Sequence, residues 1–319
     1  MTNIWPAELE QLTPSELDEL YAKTITPFEH RLEELAINKQ LSTYLTPFYI
    51  PFAAWLHQKA LNTSTTLVVG INGAQGSGKS TMSQLVADVL QHGFGLRTVI
   101  ISIDDIYKTR QQRKQMAESI HPLFNTRGAP GTHDTAMGIE LIQQIKALKQ
   151  EETLSYPRFD KGNDDRQAQS TWPQCRGPID ILIFEGWCVG AQAQADQALT
   201  QSVNLLELTE DKNLTWRRSV NKHLQTDYKL LFNLLDCLIF LQIPSFDCVL
   251  KWRGLQEQKL VNKQQHEQHL MTSQASLERF IAHYERLTLQ QLDDMPSIAD
   301  LIIQLGADHQ IEKASVRNP

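Results

Sequence analysis

Eight consecutive residues carry the first chemical signal. Gly73-Ala74-Gln75-Gly76-Ser77-Gly78-Lys79-Ser80 satisfies every defined position of G-x-x-x-x-G-K-[ST]. The glycines let the backbone turn tightly and aim successive N–H groups at one centre. A helix opening at Lys79 adds the partial positive charge of its N-terminus, so amides and dipole together hold phosphate oxygens. Lys79 is expected to bridge the β- and γ-phosphates of a nucleoside triphosphate, and Ser80 to ligate Mg²⁺. Thr81 extends the nucleotide contact into the first helical turn.

Two sets of acids follow, each closing an apolar run. Ile103-Asp104-Asp105-Ile106-Tyr107 presents two carboxylates: one to accept the proton of a substrate hydroxyl, the other to hold Mg²⁺ or its waters. Phe184-Glu185-Gly186-Trp187 ends a second run. Glu185 is expected to act on Mg²⁺ through water, while Gly186 keeps the backbone open beside the phosphates. The plainer alternative for each acid is a strand-end cap.

Such residues converge only if a scaffold brings strand ends together. Five near-continuous apolar runs, Leu67–Ile71, Thr98–Ile103, Ile181–Phe184, Cys237–Ile243 and Leu301–Leu305, suit strands buried on both faces of a parallel sheet. Helical patterns lie between several of them. In the clearest, after Lys79, Met82, Leu85, Val86, Val89 and Leu90 form one stripe that ends near Gly93. Repeated strand–helix alternation means a helix-covered parallel sheet. The long connections 104–180 and 186–236 leave strand ends, where α/β enzymes keep substrate sites.

Residues 1–62 read as a helical extension packed on a domain spanning 63–319. Thr13-Pro14-Ser15-Glu16 forms a capping box with Pro at the first helical position. Phe52, Trp55 and Leu56 share one face of a second helix over 51–61, and Asn62–Thr65 is a polar break.

The 319 residues allow two domains or one large α/β domain. With 41% hydrophobic and 21% charged residues, the chain can bury a core, which excludes wholesale disorder. Thirty basic against 37 acidic residues give a net charge of −7, opposite to a sequence-independent nucleic-acid binder. No uncharged apolar run reaches membrane-spanning length: Leu230–Ile243 is broken by Asn233 and Asp236. The first residues lack a basic segment followed by an apolar one, so no secretory signal is expected. Cys175, Cys188, Cys237 and Cys248 have no C-x-x-C spacing and read as reduced packing residues of a cytoplasmic protein.

Asp104-Asp105-Ile106-Tyr107, His121-Pro122-Leu123, Thr126-Arg127-Gly128-Ala129-Pro130-Gly131-Thr132-His133-Asp134, Pro157-Arg158-Phe159-Asp160-Lys161 and Phe184-Glu185-Gly186-Trp187 together resemble the D-glycerate 3-kinase family. That family belongs with the uridine kinase, pantothenate kinase and phosphoribulokinase group. The resemblance runs from about Leu67 to Gly306 and is most specific over Thr126–Asp134. It implies a P-loop NTPase-type three-layer α/β/α fold, a five-stranded parallel sheet in the order 2-3-1-4-5, and a small mobile lid. It also implies transfer of the γ-phosphate of ATP to the 3-hydroxyl of D-glycerate, with Mg²⁺. By the same resemblance Asp104 is the general base and Asp105 a supporting acid that also serves the metal. Tyr107, Arg127, His133 and Asp134 would line the acceptor site.

Glycerate requires a fixed cation for its carboxylate, preferably the planar fork of an arginine. Arg127, Arg158, Lys161 and Arg166 are the candidates, each with a surface ion pair as the alternative. A structural histidine is the alternative for His133, and packing is the favoured reading of Trp172 and Trp187. Cations should also close over the transferring phosphoryl group. Arg253 is the first candidate and Lys251 the second, with a mobile helix from Gly254 onward. Gln256–Gln268 reads as a solvated helical face, and Arg217 and Arg218 as exposed helix charges. The loop Ala307-Asp308-His309 is expected near the adenine.

The competing expectations are a kinase of this fold for pantothenate or a nucleoside, and a P-loop ATP-binding regulator without an acceptor. No N-K-x-D follows the fourth run, where Leu241-Gln242-Ile243-Pro244-Ser245 stands instead, which disfavours a GTPase. The expected ligands are therefore ATP, Mg²⁺ and a small glycerate-like acceptor, with no nucleic acid and no membrane.

Overall fold

A computed structural model describes residues 4–9, 12–254 and 274–317. The Gln256–Gln268 face and most of the expected lid helix lie outside them.

Strands β1 (Leu67–Gly73), β2 (Thr98–Ser102), β3 (Ile181–Gly186), β4 (Cys237–Gln242), β5 (Leu301–Leu305) and β6 (Ile311–Val316) form one sheet. Its order is β2-β3-β1-β4-β5-β6. The first five are parallel, with Leu67 opposite Ile181 and Val69 opposite Cys237 across the centre. Their order is the expected 2-3-1-4-5.

The sixth strand corrects the five-strand expectation. It runs antiparallel to β5 and alternates buried Ile311 and Ala314 with more exposed positions, so it offers no continuous apolar run. On its other side the Ala314 amide donates to Ile4 O at 2.7 Å, which covers part of the edge.

Side-chain alternation assigns each face of the sheet. Val69, Ile71, Ile183, Ile239 and Ile303 join a core with α1 (Pro14–Glu34), α2 (Ile50–Leu61) and α3 (Lys79–Phe94). Val68, Leu182, Phe184, Phe240 and Ile302 face the opposite core. There they meet α5 (Thr135–Ala147), which follows α4 (Arg110–Ser119). The connection from β3 to β4 carries α6 (Leu205–Glu210), α7 (Thr215–Gln225) and α8 (Asp227–Phe232), and α9 (Gln274–Ile298) precedes β5.

The amino-terminal helices brace the phosphate-loop helix. Thr13 caps α1 with the reciprocal Glu16 bond. Arg31 on α1 then grips Asp88 on α3 with two bonds, 2.7 and 3.1 Å. The end of α3 is set by Gly95, after which the Leu96 amide reaches back to Leu90 O at 3.1 Å.

Two small hairpins extend from the long connection after α5. Thr153–Ser155 pairs with Gln174–Arg176, and Phe159–Asp160 pairs with Asp165–Arg166. The second hairpin builds one wall of the site.

Candidate active site

The carboxyl ends of β1, β2 and β3 open onto one cavity of about 170 Å³. Its lining includes Lys79 and Ser80 from the phosphate loop, Asp104 after β2, and Glu185 at the end of β3. Gln75, Gly76, Tyr107, Arg127, Lys161, Gly186 and Arg253 complete the expected residues brought together there. Gly73, Ala74, Ser77, Gly78 and Thr81 form the loop and first turn of α3 beside it. Gly76 is held at φ +80, and a Cβ there would stand 2.8 Å from Trp252 Cβ. The loop therefore needs glycine for both conformation and space.

At the phosphate end, Lys79 Nζ donates to Ala74 O at 3.0 Å. Burial draws its pKa below the ordinary lysine value, against the pull of Glu185 and Asp104. The Ser80 hydroxyl donates to Glu185 Oε1 at 2.8 Å. Burial raises the Glu185 pKa, opposed by Lys79 and that hydroxyl. Hydroxyl and carboxylate oxygens side by side fit a hard divalent cation such as Mg²⁺, which also keeps waters and substrate phosphates. Among the described residues no cluster of three His, Cys, Asp or Glu side chains is poised to hold a metal alone.

At the acceptor end, Lys161 Nζ lies 2.7 Å from Asp104 Oδ2. Burial alone would raise the Asp104 pKa, yet the charge and hydrogen bond of Lys161 hold it well below the usual carboxylate range. Asp104 is thus an ionised acid with a cation beside it. Arg127 pairs with Asp164, while its backbone carbonyl accepts from the Tyr284 hydroxyl at 3.1 Å. The next residue, Gly128, has φ +129, and a Cβ there would fall 2.1 Å from that hydroxyl.

Several expected residues lie behind this wall. Asp105 bonds Arg158 and accepts from the Ser102 and Phe159 amides at 3.3 and 3.4 Å, so its oxygens are committed to structural partners and it does not line the cavity. Asp104 and Asp105 diverge because Ile103–Ile106 is a 3₁₀ turn, in which neighbours point about 120° apart. Arg158 is occupied by Asp105 and by the Tyr156 ring.

Arg166 donates to Tyr107 O at 2.8 Å and to Asp134 at 3.3 Å. Asp134 also caps α5 through the Met137 amide. His133 is fully buried, stacked on Tyr107 with centroids 4.3 Å apart and 2.5 Å from the Tyr228 hydroxyl. Burial lowers its pKa to about 3. This placement is that of a structural histidine, outside the cavity lining. Lys251 faces exposed Asp308 outside the cavity.

The cavity also contains Ser102, Phe280 and Tyr284, which the sequence did not single out, and Trp187, read from the sequence as packing. Trp187 does pack, edge-on to Tyr284 at 4.7 Å, and donates to Gly128 O. Only the apolar periodicity of 274–298 could have drawn attention to Phe280 and Tyr284, and it does not distinguish cavity from core. Arg217 overturns its reading as an exposed charge: it is 3% exposed and pairs with Glu207 and Asp211.

A parallel sheet of this order, with a phosphate loop after its central strand and a strand-end acid poised opposite, defines a P-loop kinase. Residues 68–229 match the Phosphoribulokinase / Uridine kinase family model, and the chain belongs to that family. It is 28% identical over 239 residues to the chloroplastic D-glycerate 3-kinase of Arabidopsis thaliana, covering 70% of this chain. The match spans only 50% of that relative. The uncharacterized kinase mug58 of Schizosaccharomyces pombe is 30% identical over 225 residues, 68% of this chain and 78% of that protein. The solved D-glycerate 3-kinase of Cryptococcus neoformans var. grubii superposes with a TM-score of 0.69 at 25% identity, covering 84% of this chain and 96% of that one. The resemblance to D-glycerate 3-kinases thus extends through sequence and fold. The relatives it matches are named as kinases. No described helix is long and apolar enough to cross a membrane.

Proposed function

We propose that this kinase transfers the γ-phosphate of ATP to the 3-hydroxyl of D-glycerate, yielding 3-phospho-D-glycerate. The observation that carries the reading is the placement of Asp104, Lys161 and Arg127 in one cavity with Lys79 and Ser80. Arg127 receives the acceptor carboxylate. Asp104 then takes the proton of the attacking hydroxyl. Lys79, Lys161 and Arg253 face the charge that spreads over the transferring oxygens. Ser80 and Glu185 would hold Mg²⁺, which when bound neutralises charge on the phosphates.

Charge supports a small monoanionic acceptor. Arg127 and Lys161 each already face a carboxylate, Asp164 and Asp104, a balance suited to one added carboxylate rather than a phosphorylated sugar. The cavity's aromatic rings are engaged by neighbours: Trp187 and Phe280 pack against Tyr284, Tyr107 stacks on His133, and Arg253 lies over Phe280. A nucleoside acceptor would need an unengaged ring face. The division into a bracing extension, 1–62, and a kinase domain, 63–319, belongs to the same reading.

The test mixes the protein with ATP, Mg²⁺ and D-glycerate and follows ADP, with L-glycerate, pantothenate, uridine and no-acceptor controls. D-glycerate-dependent turnover with phosphorus on the 3-oxygen by NMR is expected. Preference for uridine or pantothenate, or ATP hydrolysis indifferent to any acceptor, would refute the assignment.

A further inference from the structure

Arg113 is a fully buried arginine that touches no part of the cavity, yet its bonds converge on one wall of it. It lies on α4 and donates to three carbonyls from separate segments: Lys108 O at 3.3 Å, Asn125 O at 2.9 Å and Asp164 O at 2.7 Å. Its Nη2 also lies 2.9 Å from Asp164 Oδ2. One side chain thereby ties the segment just before Arg127 to the turn of the 159–166 hairpin.

Asp164 is the other half of the device. It occupies the left-handed region at φ +54, which aspartate tolerates better than most residues. Its two carboxylate oxygens are divided between two arginines: Oδ2 faces Arg113 and Oδ1 accepts from Arg127 Nη1. Phe159, 7% exposed, lies beneath both guanidinium groups, with centroid distances of 6.0 and 5.6 Å. A guanidinium has five N–H donors, so one carboxylate contact does not exhaust Arg127. An arginine pinned on one edge and packed on a ring is pre-oriented for a second carboxylate, with little rotamer freedom left to lose on binding.

We infer that Asp164 is a positioning residue that fixes Arg127 for the acceptor carboxylate, and that Arg113 fixes Asp164. The inference rests on the glycerate reading above. The hairpin thereby acts on the acceptor at two points, since it also carries Lys161 to Asp104. Asp164 and Arg113 need touch neither the nucleotide nor the reacting atoms.

The test compares Asp164→Asn, Arg127→Ala and the double variant in steady-state assays with D-glycerate, alongside binding of ATP. Asp164→Asn is expected to raise the acceptor KM by about tenfold or more, with the KM for ATP changed by less than about twofold. In the Arg127→Ala background the same substitution should add little, because its target is gone. An unchanged acceptor KM, or the full effect persisting without Arg127, overturns the inference. Asp164→Gly adopts the left-handed backbone freely, keeps the backbone bond to Arg113, and carries the same expectation should Asp164→Asn fail to fold. Absence of D-glycerate turnover by the unaltered protein would instead refute the parent assignment, and this inference with it.

Discussion

Lys161 approaches Asp104 to 2.7 Å from a hairpin more than fifty residues further along the chain. The pair settles the state of the acid. Burial on its own would favour the neutral carboxyl, but the adjacent ammonium holds Asp104 ionised far below neutral pH. Asp104 raises the Lys161 pKa in return. As the proposed base, Asp104 would be ready before the acceptor arrives, with its basicity moderated by its partner.

Replacing Lys161 with Met should separate these effects. With the ammonium gone, burial is opposed less, by the Tyr107 hydrogen bond and His133, and the pKa of Asp104 rises. A group with a depressed folded pKa contributes stability above its unfolded pKa and loses it as pH falls, so that contribution also shrinks in the variant. The acid limb of the kcat/KM profile should move upward by about one unit or more. A limb that stays in place as kcat falls would mean that Asp104 is not the group titrating.

Glu185 and Ser80 make the corresponding contact at the phosphate end. Glu185→Gln keeps size and shape but removes the charge that would help hold a divalent ion. The Mg²⁺ concentration for half-maximal rate should rise by about tenfold or more. Binding of ATP without metal should change little, because Lys79 and the loop amides remain. An unaltered Mg²⁺ requirement would place the metal away from this carboxylate.

The phosphate loop and the five parallel strands were legible because their signals are local: a spaced motif in one case, continuous apolar runs in the other. The edge strand Ile311–Val316 was hidden by its two-faced pattern. Resemblance already names Asp104 as the base, but that Asp105 turns away from the cavity depends on the geometry of a four-residue turn. Arg113 and Asp164 lay beyond reach for a different reason. Their partners come from four separate segments, and a charged residue in sequence looks the same whether it ends in solvent or beneath a site. Arg217 makes the same point, since its partners Glu207 and Asp211 read equally well as surface acids.

Arg217 gives a stability prediction independent of catalysis. It is 3% exposed and its Nη1 lies 2.8 Å from Glu207, which is 1% exposed and also bonded to Arg286. Removing one member of such a cluster leaves buried acids short of a partner. Arg217→Met should cost about 3 kcal/mol in denaturant unfolding, with the KM for ATP unchanged in the folded fraction. A loss below about 1 kcal/mol would mean that Arg286 alone satisfies Glu207.

Arg253 tests the closing of charge over the transferring group. The residue before it is firmly held: Trp252 is 1% exposed, donates to Ala307 O at 2.9 Å and stacks on His309. Arg253 itself lines the cavity with its guanidinium over Phe280. A cation so anchored gains most when charge develops on the phosphoryl oxygens, and less in the ground state. Arg253→Ala should therefore lower kcat by about 10²-fold while leaving the KM for the acceptor nearly unchanged. Arg253→Lys should recover part of the loss, because it restores the charge without the planar fork. A rise in KM at constant kcat would instead make Arg253 a ground-state binding residue, and would leave Lys79 and Lys161 as the transition-state cations among the described residues.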